Sequence, residues 1–127
     1  MTKLLVVGFG GFMGAVLRYY VSGFVQDASK SIGFPYGTLA VNVIGCLVIG
    51  LMAQIVEARN IFTAEMRLFI FIGLLGGLTT FSTFSHETFN LARDGEFNLA
   101  LLNVGVHVFL CLSAVWLGRY GAQLIWR

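Results

Sequence analysis

Charge is scarce in this chain. Eight basic and six acidic residues stand among 127, or 11%, where a soluble domain carries roughly 25%. The shortage excludes an ordinary water-facing globule, and it leaves no basic face for a nucleic acid to bind. Proline occurs once, at Pro35, so long helices can run without the residue that most often breaks them. Cysteine occurs twice. Cys46 and Cys111 both fall inside apolar stretches, which argues against an extracellular disulfide framework and for buried thiols.

What fills the chain instead is hydrocarbon: 57% of residues are hydrophobic and the mean hydropathy is +0.85. Charge-free windows run from Ser31 to Val56, from Leu68 to His86 and from Asn98 to Gly118. Each is close to or above the roughly 20 residues that a spanning helix needs. A fourth window, Leu4 to Gln26, is interrupted only by Arg18. Its start at Lys3 has the look of a secretory signal, but the run continues through Val16, Leu17, Tyr19, Tyr20 and Val21, past the roughly 7–15 apolar residues of such signals. The expected fold is an all-α membrane protein of four transmembrane helices in one integral membrane domain, 1–127. The helices are expected near 4–26, 38–56, 67–91 and 98–120, the third broken near 76–81.

The links at Asp27 to Tyr36, Glu57 to Arg67 and Ala92 to Phe97 are too short to fold alone. With four spans, Lys3, Arg59, Arg67, Arg119 and Arg127 share one side and Lys30 and Arg93 the other. That tally favours cytoplasmic termini and leaves insertion in both orientations open.

The most informative segment is Gly76-Gly77-Leu78-Thr79-Thr80-Phe81-Ser82-Thr83-Phe84-Ser85. Two glycines and five hydroxyls are set here in a segment otherwise apolar enough to cross a bilayer. Lipid offers no hydrogen bonds, so such a backbone survives at membrane depth only where protein buries it or it lines a cavity. A broken helix at a conduction or binding site is therefore expected. Beyond the break Phe81 and Phe84 share a helix face, with Ser82, Thr83, Ser85, His86 and Asn90 around them. An aromatic ring has a positive edge, so the pair can stabilise an anion while hydroxyls and amides replace its water. Arginine or lysine in a narrow passage would hold a small anion too firmly for conduction, and none occurs between Arg67 and Arg93.

Other residues carry alternatives. Gly8-Phe9-Gly10-Gly11-Phe12-Met13-Gly14 approaches a dinucleotide fingerprint, but its last glycine is displaced by one position and no ribose-binding acid follows. Gly10 and Gly14 instead form a GxxxG pair that lets another helix approach closely. Arg18 is either an interfacial anchor beside Tyr19 and Tyr20 or an anion-attracting charge at the mouth of a vestibule. Asn42 is either glue between helices or a pore-lining amide. Asn103, His107 and Cys111 make one mildly polar stripe at four-residue spacing. His86, His107 and Glu87 offer no spacing typical of a metal site, and His107 is expected to line or pack.

These residues resemble a known family, the small fluoride channels called Fluc or CrcB. The resemblance covers nearly the whole chain: Gly11 through Tyr19, Gly37 through Gly45 and, most specifically, Gly76 through Ser85. It implies a fluoride-selective channel rather than an enzyme, passively exporting fluoride across a bacterial plasma (inner) membrane. It also implies an antiparallel, dual-topology homodimer with two pores, and a sodium ion at the dimer axis. Carried onto this sequence, Phe81, Phe84 and Asn42 match the family's pore residues, Ser82 and Thr83 its polar track, and Gly76 and Thr79 the backbone carbonyls that hold the sodium. The alternative from another class is a small proton-coupled multidrug-type antiporter, for which Glu87 is the one candidate carboxylate. A non-transporting subunit of a larger complex would leave the hydroxyl cluster without a role.

Overall fold

The structure, a computed structural model, describes residues 1–59 and 61–125. Asn60, Trp126 and Arg127 are outside it, so the Arg127 of the orientation tally lies outside the described residues. Four helices are long and apolar enough to cross a membrane: α1 (Thr2–Ser29), α2 (Tyr36–Arg59), α3 (Ala64–Arg93) and α4 (Phe97–Ile125). Each begins or ends where the charge or punctuation lies. Lys30 takes a left-handed conformation, φ 52°, that stops α1, and Pro35 stands just before α2. Gln26 laces the link between them: its Nε2 donates to the Ser31 carbonyl at 2.7 Å and its Oε1 accepts from the Gly37 N–H at 3.0 Å.

Helix α3 is continuous only in outline. After an α-helical turn at Ala64–Arg67 it widens into a π-helix over Leu68–Leu75, tightens again at Gly76–Leu78, and then breaks. Thr79 and Thr80 are extended, with ψ of 153° and 111°. The chain resumes as a second limb, Phe81–Arg93. Wide helical turns are rare and cluster at functional sites.

Packing follows the small residues. A Cβ on Gly10 would lie 2.7 Å from the Phe69 carbonyl oxygen and one on Gly77 2.6 Å from that of Gly11. The GxxxG face of α1 therefore meets glycines of α3, backbone against backbone. Helices α2 and α4 meet in the same way, with Gly50 against the Val115 carbonyl and Gly118 against that of Leu47. Val41, Leu75 and Leu78 form the buried cluster where α2 and the first limb of α3 converge, backed by Val21, Val48, Ile49, Ile70 and Phe71. Elsewhere large apolar side chains such as Phe9, Phe12, Phe24, Phe109 and Trp116 face outward. For helices of this length and composition that is the arrangement lipid requires.

Candidate functional site

The break in α3 is held open by one side chain. The Asn42 amide, 8% exposed on α2, forms a two-point clasp on Thr80. Its Oδ1 accepts from the Thr80 N–H at 2.8 Å and its Nδ2 donates to the Thr80 carbonyl at 3.2 Å. The Thr80 N–H is the donor that an unbroken helix would send to the Gly76 carbonyl. Asn42 thus substitutes for a helical turn and takes from that carbonyl its helical donor. One Nδ2 hydrogen also remains for another acceptor.

Thr80 then caps the second limb. Its Oγ1 accepts from the Thr83 N–H at 3.2 Å and reaches the Thr83 hydroxyl at 2.9 Å and the Ser82 hydroxyl at 3.2 Å. Because the Thr83 N–H is spent on the cap, the Thr79 carbonyl also loses its helical donor. Three hydroxyls therefore meet at the start of the second limb, where unpaired N–H groups and the helix dipole favour negative charge.

The two phenylalanines differ in setting. Phe84 is 9% exposed and Phe81 79% exposed, with centroids 5.3 Å apart at 50°. Phe84 also lies 4.5 Å from the imidazole of His107, which is 5% exposed. His107 Nδ1 donates to the Asn103 carbonyl at 3.0 Å, while its Nε2 is buried with no partner among the described residues. Asn103 ties α4 to the second limb, its Nδ2 donating to Thr88 Oγ1 at 2.8 Å. On the opposite side Thr38 Oγ1 donates to Glu87 Oε1 at 2.6 Å. The short second limb is therefore moored from both sides by polar contacts rather than by a large apolar face.

These groups border an open cavity of about 450 Å³ lined by Asn42, Thr79, Thr80, Phe81, Phe84 and His107, with Gly76, Cys46 and Cys111 also on its wall. Among the described residues that line it there is no lysine, arginine or carboxylate. A more polar hollow, lined by Gln26, Thr38, Glu87 and Asn90 among others, lies toward the α1–α2 link. Arg18 is half-buried on α1 and lines neither space. Ser82 and Thr83 are exposed and reach the cavity wall only through their hydroxyl contacts with Thr80.

The structure thus brings Asn42, Phe81, Phe84, Gly76 and Thr79 to one place and joins Ser82 and Thr83 to it. Spacing alone does not single out Thr80, although a threonine immediately before a resumed helix is a capping signal. Nor does sequence order reveal that Cys46 and Cys111 share the cavity wall.

Comparison with known proteins adds family relationships. Residues 5–119 match the family described as CrcB-like protein, Camphor Resistance (CrcB). The chain is 48% identical over 123 residues to a protein of Geobacter sulfurreducens named fluoride-specific ion channel FluC, covering 97% of this chain and 98% of that one. It is 45% identical to the protein of the same name from Geotalea daltonii, over 98% of this chain and all of that one. A relative from the archaeon Methanosarcina acetivorans, named fluoride-specific ion channel FluC 1, is 42% identical over 96% of this chain and 92% of its own length.

Proposed function

The chain belongs to the CrcB family, and on that premise we propose that it is a fluoride-selective channel that lets fluoride leave the cytoplasm passively as a multi-pass protein of the plasma membrane. The observation that carries the reading is the Asn42 clasp on Thr80 beside Phe84, in a cavity without a fixed cation on its described wall. Fluoride is small and strongly hydrated, so its passage needs donors that replace water without trapping the ion. The remaining Asn42 amide hydrogen, the Ser82 and Thr83 hydroxyls and the ring edges of Phe81 and Phe84 are donors of that strength. A fixed cation in the passage would bind too tightly, and the apolar remainder of the wall disfavours an ion that cannot use the donors.

One chain leaves Phe81 largely uncovered, so a second copy supplies the missing wall. An antiparallel homodimer of dual topology gives two equivalent passages, each built from both chains. Gly76 and Thr79 fit a sodium ion at its axis, because their carbonyls have lost their helical donors and a hard cation prefers oxygen ligands. When bound, sodium would supply fixed positive charge between the two chains. Arg18 is assigned to the vestibule, where it raises the local anion concentration. In the antiporter reading Glu87 must exchange protons, but its carboxylate accepts from Thr38 outside the cavity, and the family relationship favours the channel.

Growth tests the export role. Expression in a bacterium deprived of its own fluoride export should restore growth in fluoride-containing medium. Full membrane expression without restored growth would count against it.

A further inference from the structure

We propose that Cys46 and Cys111 form a dithiol site for a soft, two-coordinate metal ion, of the class of Ag⁺, Hg²⁺ and Cu⁺, in the wall of the cavity that Phe81 and Phe84 line. The register of two helices creates the pair. Gly50 of α2 lies against the Val115 carbonyl of α4, so the two backbones touch there. Cys46 and Cys111 each stand four residues earlier, one turn back on the same face of their helices. The two thiols accordingly come to the same stretch of the cavity wall, where α2 and α4 meet. Both are free, half-buried and on the cavity wall.

The neighbouring imidazole of His107 keeps its Nε2 buried in protein rather than open to the cavity. The ring lines the cavity one turn from Cys111, and that Nε2 has no partner among the described residues. Because Nδ1–H is committed to the Asn103 carbonyl, Nε2 of the neutral ring carries a lone pair. Among the described residues no group of three or more His, Cys, Asp and Glu side chains is gathered for a metal. That leaves no four-ligand set of the kind structural zinc uses. Thiolates select soft ions, and a facing pair suits an ion that binds two sulfurs in line. Binding forms two sulfur–metal bonds and releases both thiol protons to water, with no change of oxidation state.

The site stands on its own geometry, whereas its effect on flux rests on the channel reading. Purified full-length protein is loaded with Hg²⁺, challenged with glutathione and weighed by intact mass spectrometry. One mercury per chain is expected, shielding both thiols from maleimide. It should resist roughly a hundredfold more glutathione than in Cys46→Ser or Cys111→Ser, because the second sulfur acts at a high effective concentration. Two mercuries per chain, thiols still open to maleimide in the loaded wild type, or equal stripping from wild type and variants would overturn the site. In liposomes, loading should stop fluoride efflux from the wild type and leave Cys46→Ser/Cys111→Ser at its own metal-free rate. Bound metal with undiminished flux would overturn the placement against the ion path. No fluoride flux before loading would instead remove the channel reading, and the mercury count would still decide the site.

Discussion

Asn42 holds the break in α3 with its oxygen and one amide hydrogen, on the wall of the cavity. Asn42→Asp keeps the acceptor for the Thr80 N–H but loses the donor to the Thr80 carbonyl and puts negative charge in an anion path. Flux should vanish while the protein still purifies as a folded species. Phe81→Leu and Phe84→Leu keep an apolar side chain and lose the ring edge, worth about 0.5–1.5 kcal/mol, so flux should fall about twofold to roughly tenfold. Wild-type efflux from both leucine variants would defeat the ring-edge account. Asn42 stood out as the one amide in its charge-free span, but the sequence left open whether it is glue between helices or a pore-lining group; in the structure it ties α2 to Thr80 of α3. Thr80 did not stand out, since its backbone pairing with α2 is a contact between positions 38 residues apart.

At the level of elements, glycines decide which helices touch. A Cβ at Gly14 would run into the Leu74 carbonyl, whereas one at Gly8, on the same helix, meets nothing within 4 Å. Backbone cannot move aside as a side chain can, so Gly14→Ala should cost about 1–3 kcal/mol and Gly8→Ala almost nothing. The thermal midpoint of the detergent-solubilised protein distinguishes them, and equal midpoints would show that α1 and α3 do not pack this way. The GxxxG spacing announced a close helix contact, and paired glycines with threonines announced the break. The partner of Gly10 and Gly14 could not be read, because any small-residue face would satisfy the pattern. The π-helix over Leu68–Leu75 was equally hidden, because LFIFIGLL is as apolar as any spanning helix and carries no local mark of a wider turn.

For the whole molecule, hydropathy was the most legible property, since four charge-poor windows leave few alternatives to four spans. Assembly is the least legible, because a face that meets lipid and a face that meets a second copy are equally apolar. In the proposed dimer, Phe81, 79% exposed on an open cavity wall, is a residue that the second copy would cover. The central claim, selective passage of fluoride, is tested most directly by ion efflux from liposomes holding the purified protein. Fluoride and chloride electrodes follow both anions while potassium and valinomycin balance the charge. Rapid fluoride loss with chloride retained is the predicted result. Equal loss of both anions, or no fluoride loss from a well-folded preparation, would contradict it.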